Sequence, residues 1–474
     1  MEQKKNPTGQ LLSRRQMLRM MGGAAGVAAL AACAPVATPT TSTGGEGGDA
    51  PAQAATAMTV VGRREYFKEM EDLFQAAVNE WAAENNIEMD VSTVAAEANE
   101  DFVAKTLAQV EAGDPPDLIY HTRLTQQLYF LDTLQPMSDV VGRAIEQYGE
   151  PTPGHYQQNQ IDGEWWGLPY INGGGGKFVR ASLFEAAGID PLEGLLTWDN
   201  IRDGSLAVSD PAAEMYGWGM TVNRGGDATG LIQAILHSWG ASITDADMTQ
   251  LTFNSPEAVE AVAWLTEVYA NEMYADMLPP GVLSWTDSSN NEAFLAGNIA
   301  YTSNAASIYA KAKADGNPIF EDIIVTDVPN GPANINQVGG GGSGQFYVPR
   351  GARATDQAKD LALHLLSPEV FLPISLVSAG LFLPCYADYL GMSEVQAAFE
   401  ADPNLARMAE QQTGDYPGLS WPAPPNPFID AVNAQAILTD MMAQTIANGL
   451  SAEEAVSQAS DRMAQIGEEM GAFA

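Results

Sequence analysis

Short apolar segments alternate with amphipathic helical segments from residue 58 onward. The run MTVVG at 58–62 has the length and composition of a buried strand, and the apolar residues after it recur at helical spacing. A second strand at 87–91, a helix at 99–112 and a strand that reads DLIYH follow in the same order. Strands that alternate with helices of this length predict an α/β fold built on a parallel-type sheet.

The same alternation begins again near residue 177. A short strand, KFV, precedes the helical segment SLFEAAGID, which Gly188 ends, and Thr197 is placed to cap the next helix, TWDNIRD. Farther on, Ser255 precedes a long amphipathic helix, and Ser451 begins the sequence SAEE, which has the pattern of a capping box. A chain of 474 residues is too long for one ordinary core, so we expect more than one α/β unit.

Acidic residues greatly outnumber basic ones. The chain has 60 Asp and Glu against 22 Lys and Arg, a formal net charge of -38. Such a surface repels phosphates, which argues against nucleic-acid binding.

The four histidines are scattered without metal-ligand spacing, and no nucleophile elbow or zinc motif is present. We therefore expect neither a cofactor nor a catalytic metal, and none of these motifs indicates an enzyme.

The first 57 residues predict export and attachment to a membrane. Arg14 and Arg15 form a twin-arginine pair, and a Gly/Ala-rich run follows that is too short to span a bilayer. The run ends in Leu-Ala-Ala-Cys33, which resembles a bacterial lipoprotein box whose cysteine takes the lipid. We expect residues 1–32 to be a signal peptide and residues 33–57, rich in Ala, Thr, Gly and Pro, to be a lipidated, flexible tether.

Four consecutive glycines stand in the stretch LPYINGGGGKF at 168–178. A phosphate-binding loop needs a glycine five places before its Gly-Lys pair and a Ser or Thr after it. Ile171 and Phe178 occupy those two positions. Nucleotide binding is therefore disfavoured, and the glycines are better explained as a hinge beside some other ligand, which a backbone without Cβ atoms can approach closely.

The longest informative stretch is IDGEWWGLPYINGGGGKFVRASLFEAAGIDPLEGLLTWDNI. Together with GDPPDLIY, LTFNSPEAVEAVAWL and AFLAGNIAYTSN, in this order, it resembles the family 1 extracellular solute-binding proteins of ABC importers, the group that contains maltose-binding protein. The resemblance implies two α/β lobes joined by hinge strands, the type II periplasmic-binding-protein-like fold, with a ligand cleft between them. It implies chain crossings at about 168–172, 326–340 and 384. The implied lobes are 58–169 with about 339–384, and 170–338 with about 385–474.

The resemblance also implies the function. We expect an extracytoplasmic receptor, monomeric and held at the membrane by the lipid on Cys33, that delivers a carbohydrate to an ABC permease. The same fold could bind a sugar acid, a polyol phosphate or a peptide, or could act as a sensor. A secreted glycosidase is the remaining alternative, because two suitable carboxylates can always be found among 60 acidic residues.

Candidate ligand-binding residues come from strand ends, aromatic rings and the matched motifs. Ligands in α/β sheets lie beyond the carboxyl ends of strands, which indicates Arg63, Tyr66, His121 and Arg123. Aromatic rings suit the apolar face of a sugar, and the candidates are Tyr170, Trp239, Trp285 and Trp421. Asn172, Asn304 and Gly340 complete the set, whereas Trp264 lies at helical spacing and predicts core packing. Sugar binders of the family often have a tryptophan where this chain has Ser307.

Overall fold

The computed structural model describes residues 57–94, 99–122, 125–335, 344–414 and 418–473. The predicted signal peptide, Cys33 and the tether lie outside these residues, as do Arg123 and Gly340.

Four strands among the described residues overlap the segments predicted at 58–62, 87–91, 117–121 and 177–179. The strands are β1 (Ala57–Arg63), β2 (Glu88–Val94), β3 (Leu118–Thr122), β4 (Gln160–Ile161), β5 (Glu164–Trp165), β6 (Leu168–Ile171), β7 (Gly175–Arg180), β8 (Tyr216–Trp218), β9 (Ile299–Ala305), β10 (Ile323–Thr326) and β11 (Gly344–Tyr347).

Helices make up most of the described residues that lie outside the strands. They are α1 (Lys68–Glu84), α2 (Asn99–Ala112), α3 (Thr125–Phe130), α4 (Ser138–Tyr148), α5 (Pro153–Asn159), α6 (Ala181–Ala186), α7 (Trp198–Val208), α8 (Gly226–Trp239), α9 (Pro256–Ala270), α10 (Ser289–Leu295), α11 (Ser307–Ala314), α12 (Thr355–Leu365), α13 (Pro368–Val377), α14 (Ala387–Leu390), α15 (Ser393–Ala401), α16 (Pro403–Glu410), α17 (Pro427–Ala434), α18 (Ile437–Asn448) and α19 (Ala452–Met470). Short 3-10 turns lie at Pro211–Ala213, Glu272–Met277, Val282–Ser284, Pro318–Asp322 and Gly418–Ser420.

Several helix starts confirm the predicted caps. The Thr197 hydroxyl accepts a hydrogen bond from the backbone N–H of Asn200, and Ser255 and Ser451 cap α9 and α19 in the same way. A side-chain oxygen there satisfies one of the backbone donors that the first turn of a helix leaves without a partner.

Two separate sheets organise the chain. The first has the strand order β2-β1-β3-β11-β6, and the second has the order β10-β7-β9-β8. In the first sheet β1 is parallel to β2 and β3, as predicted, whereas β11 runs antiparallel between β3 and β6. In the second sheet β8 and β9 are parallel, and β7 is antiparallel to both of its neighbours. Both sheets are therefore mixed rather than purely parallel.

Each sheet packs in a core of its own. The first core joins Tyr120 and Phe346 of the sheet to the face of α1 that carries Met70, Phe74, Val78 and Trp81, as the sequence predicted. The second core surrounds Trp198 and Trp218 and includes helices α8, α9 and α19. Burying a large apolar side chain contributes about 1.5–3 kcal/mol to the stability of each lobe.

The two lobes are connected where the chain crosses between the sheets. After β6 the backbone of Asn172 exchanges two hydrogen bonds of 2.9 Å with Leu383. The Asn172 amide is held from both sides, since it accepts from the Thr152 hydroxyl and donates to the carbonyl of Pro384. Asn172 is thus a buried residue of the crossing. Beyond the crossing expected near 384, Tyr386 still packs in the first core.

Among the described residues, no single helix is both long and apolar enough to cross a membrane. By length and composition alone, α12 and α13 pass that test only as a pair, bent by 58°.

Candidate functional site

The four glycines lie at the junction of the two lobes. A Cβ on Gly174 would come within 1.9 Å of the carbonyl oxygen of Gly380, and one on Gly175 within 2.9 Å of the carbonyl oxygen of Asn304. A Cβ on Gly176 would lie 2.8 Å from the Val325 side chain. These glycines are required because the protein's own backbone and side chains approach them closely. Their position next to the end of β9 also brings a polar cluster to the junction.

This polar cluster, which we call the amide–carboxylate cluster, consists of Asp227, Asn290, Asn291 and Asn304. The Oδ2 atom of Asp227, on the first turn of α8, accepts hydrogen bonds from the side-chain amides of Asn290, at 2.9 Å, and Asn304, at 3.1 Å. The Asn304 amide also donates to the Oδ1 atom of Asn291 on α10. Asn304 was predicted from the sequence, and the other three residues are brought to it by the fold.

Burial controls the charge of this cluster. Burial raises the pKa of Asp227 to about 6, and the charge of the nearby Asp287 raises it further. The hydrogen bond from Asn290 and the charge of Lys177 lower it in part. Asp287 in turn accepts hydrogen bonds from the backbone N–H groups of Gly226 and Asp227 at the start of α8. A carboxylate and three amides fixed in this way present both donors and acceptors over a small area.

Lys177, directly after the four glycines, has a buried ammonium group. Its Nζ donates to the Ser303 hydroxyl at 2.6 Å and lies 5.9 Å from the ring centroid of Trp198. Burial lowers the pKa of Lys177 to about 8, and the charge of Asp227 partly offsets that effect. Register pairing places Lys177 opposite Ser303 and Gly176 opposite Asn304, so β7 and β9 bring the ammonium group and the amide–carboxylate cluster together.

On the first lobe, polar atoms converge at the end of β1. The Nε atom of Arg63, the Oε1 atom of Glu65 and the hydroxyl of Tyr120 are buried there, and the Glu65 carboxyl group interacts with the Tyr120 hydroxyl. Burial raises the pKa of Glu65 to about 7, whereas the neighbouring Arg63 charge lowers it. The three side chains line a small cavity together with Phe74 and Phe382. Arg63 was predicted, and Glu65 was not.

The remaining strand-end candidates differ in exposure. Tyr66 is 48% exposed. His121 is fully buried and stacks on Phe102 with 4.4 Å between ring centroids, and burial lowers its pKa to about 4. A neutral, buried histidine of this kind belongs to the core of the first lobe, although its role in binding stays a prediction.

The aromatic candidates lie at different depths. Tyr170 is fully buried, 4.5 Å from the ring of Phe346. Trp239 is 8% exposed and packs against Trp264, with 5.2 Å between the rings. Trp285 and Trp421 are half-buried.

Trp285 contacts a residue just before α8, and Trp421 contacts a residue on α8. Asn223 donates its amide to the Trp285 carbonyl at 3.1 Å, and the ring of Trp421 lies 5.3 Å from that of His237. Of the aromatic candidates, these two retain exposed surface that a ligand could contact, and contact itself stays a prediction.

Two α/β lobes joined by segments that cross between them are the architecture of a two-lobed solute-binding protein. The model of the bacterial extracellular solute-binding protein family matches residues 76–407, which is more than half of the chain, so the chain belongs to this family. The resemblance stated from the sequence is therefore confirmed.

Two curated relatives match part of the chain. A probable ABC transporter-binding protein of Deinococcus radiodurans is 24% identical over 257 residues, 50% of this chain and 57% of the relative. An arabinooligosaccharide-binding protein of Halalkalibacterium halodurans is 27% identical over 215 residues, 44% of this chain and 46% of the relative. The matched part of the chain thus spans about half the length of each relative.

The maltose-bound MalE3 of T. maritima has a similar structure. Its TM-score is 0.69 at 17% sequence identity, over 87% of this chain and 100% of that one. At this identity the likeness shows the fold alone, and it confirms the two-lobed architecture.

Proposed function

We propose that the protein captures a carbohydrate outside the cytoplasm and delivers it to the permease of an ABC importer. The observation that carries this proposal is the amide–carboxylate cluster at the lobe junction, because fixed amides and a carboxylate complement hydroxyl groups that both donate and accept. Membership of the solute-binding family and the arabinooligosaccharide-binding relative support the same ligand class.

We further propose that ligand lies between the lobes, with Asn304 and Asp227 on one side and the Arg63–Glu65 region on the other. Trp421 and Trp285 supply the exposed aromatic surface for a sugar face, since stacking there buries the apolar side of the ring. The protein works as a monomer, held at the membrane through lipid on Cys33, and performs no catalysis.

A thermal-shift screen and calorimetry test the ligand class. The panel contains maltose, arabino-oligosaccharides, sugar acids, polyols and peptides. A ligand at 100 times its dissociation constant adds about 2.7 kcal/mol to the free energy of unfolding, which is a readily measured rise in melting temperature. Stabilisation by neutral sugars is expected, whereas stabilisation by peptides alone would contradict the proposed ligand class.

Two asparagines near opposite ends of the same strand provide a matched pair of variants. Asn304→Ala removes two hydrogen bonds of the cluster at the end of β9 and should weaken sugar binding by about 1–3 kcal/mol. Asn298→Ala, just before β9, removes a hydrogen bond to the carbonyl of Glu214, and binding should be unchanged. Equal losses in both variants would show that the cluster has no special part in binding.

A further inference from the structure

Gln127 and Asp430 meet across the two lobes although 303 residues separate them in the chain. Gln127 lies on α3, whose Leu128 packs beside Val61 and Tyr347 of the first sheet. Asp430 lies on α17, whose Phe428 and Ile429 belong to the second core. Neither residue belongs to a crossing segment, so this contact reports how closely the two lobes approach each other.

The contact is long for a hydrogen bond. The Nε2 atom of Gln127 lies 3.5 Å from the Oδ2 atom of Asp430, whereas N–H···O bonds are usually 2.7–3.2 Å. Among the described residues, Gln127 is the one side chain that donates to the Asp430 carboxylate, although two carboxylate oxygens can accept about four hydrogen bonds. A half-buried carboxylate with a single weak donor therefore retains the capacity to bind another group.

The buried environment of Asp430 favours binding of an additional hydrogen-bond donor to its carboxylate. Burial raises the pKa of its carboxyl group to about 6, and the Gln127 amide lowers it only in part. At neutral pH the charged form is thus poorly solvated, and it gains from any additional hydroxyl donor.

We propose that Gln127 and Asp430 form a cross-lobe clamp for one hydroxyl group of a neutral sugar. A hydroxyl can accept from the Gln127 amide and donate to the Asp430 carboxylate at the same time, which neither a carboxylate nor a phosphate dianion can do. Insertion of its oxygen widens the direct contact, because each new bond needs about 2.7–2.9 Å. An anionic ligand group is repelled by the carboxylate, so the clamp selects uncharged carbohydrates over sugar acids. This inference rests on the proposed function.

The cross-lobe contact is tested first without ligand. Gln127→Glu places a second carboxylate against Asp430, and we expect the lobes to separate and the radius of gyration from small-angle scattering at pH 8 to rise. Gln444→Glu adds the same charge on the exposed surface of α18 and should leave the radius unchanged. An unchanged radius in the Gln127→Glu protein would overturn the contact.

Ligand selection is tested with two matched probe pairs, maltose with maltobionate and arabinobiose with arabinobionate, by calorimetry. Asp430→Asn keeps the size of the side chain and removes its charge. It should weaken neutral-sugar binding about tenfold, as expected for loss of a charge-assisted hydrogen bond, and should reduce discrimination against the acid. Asp461→Asn, on the exposed face of α19, is the control and should bind like the wild type.

The two proposals fail differently. If the wild type binds a neutral sugar but Asp430→Asn changes neither the affinity nor the ratio between sugar and acid, the clamp is wrong and the proposed function stands. If the wild type binds none of the carbohydrates tested, the proposed function and the hydroxyl clamp are both overturned, while scattering still decides whether the two residues hold the lobes together.

Discussion

The carbonyl oxygen of Gly380 lies 1.9 Å from the position that a Cβ atom on Gly174 would occupy. Gly174 is fixed on a second side as well, because its carbonyl accepts the backbone N–H of Ala306 at 2.9 Å. Gly380 itself has a φ of 96°, in the region that favours glycine. These contacts join the segment that contains Gly174 and the segment that contains Gly380 to the start of α11. The glycine run therefore packs tightly against its neighbours.

Gly174→Ala should therefore destabilise the protein. Overpacking a closely packed site costs about 1–3 kcal/mol, and backbone atoms cannot move aside as readily as side chains do. Chemical denaturation would measure the loss. Gly142→Ala, in α4, is the control, since a Cβ there meets nothing within 4 Å and alanine favours a helix by about 0.5–1 kcal/mol. Equal stability of the two variants would contradict the packing argument.

Asp117 gives a second prediction, because its buried carboxylate joins three parts of the first lobe. It accepts backbone hydrogen bonds from Thr59 on β1 and from Arg353 and Ala354 before α12, all at 2.8–2.9 Å. Asp117→Ala leaves these donors without a partner, and we expect a loss of about 3 kcal/mol or more in the free energy of unfolding.

Asp114, in the same GDPPD motif, is the matched control. It forms an exposed ion pair with Arg353 at 3.2 Å, and exposed pairs contribute about 0–1 kcal/mol. Denaturation of the Asp114→Ala protein should thus differ little from that of the wild type. A similar loss in both variants would mean that the motif contributes through its charge rather than through the buried hydrogen bonds of Asp117.

Local features of the fold could be predicted from the sequence. The capping residues Thr197, Ser255 and Ser451, the buried face of α1 and the positions of β1 and β3 all depend on neighbours within a few residues. Short-range periodicity and capping chemistry are sufficient for such features.

Long-range features could not be predicted in the same way. Strand β11 enters the first sheet between β3 and β6, far from both in the chain, and turns a sheet expected to be parallel into a mixed one. Asp227 and Asn304 meet across 77 residues, and Gln127 and Asp430 meet across 303. The pattern of neighbouring residues in the sequence does not predict such long-range pairings.

The environment of Trp239 shows how a local pattern can have two causes. A glycine after an aromatic residue can border a cleft or end a helix, and Gly240 has a φ of 91° and ends α8. This arrangement is the usual left-handed helix terminus, and the tryptophan ring packs in the second core.

The two cysteines permit a third prediction, on membrane attachment. Cys33→Ser should release the protein from the membrane fraction or leave its signal peptide uncleaved, because the thiol is the proposed lipid acceptor. Cys385 is buried in the first core, so Cys385→Ser should lower stability and leave fractionation unchanged. Fractionation of cells that express each variant measures both outcomes, and a Cys33→Ser protein that stays processed and membrane-bound would contradict the lipoprotein proposal.

The last prediction concerns the pH dependence of stability and the buried ammonium group of Lys177. Its pKa in the folded protein is about 8, below its usual value of 10.5, so between these values the unfolded chain binds the proton more tightly than the folded protein does. The free energy of unfolding therefore gains a contribution that rises with pH through this window, and the cost of burying the charge is fully present below pH 8. At 1.36 kcal/mol for each pKa unit, that cost is about 3 kcal/mol.

Lys177→Met removes the charge and keeps most of the apolar volume. We expect the variant to be more stable than the wild type below pH 8, and the difference between the two proteins should shrink as the pH rises toward 10.5. Lys68→Met, on the exposed surface of α1, should change the free energy of unfolding by less than about 0.5 kcal/mol. Urea denaturation of the three proteins between pH 7 and about 10.5 measures these differences. A constant difference between Lys177→Met and the wild type over this range would mean that the ammonium group is not held in the buried environment from which its depressed pKa follows.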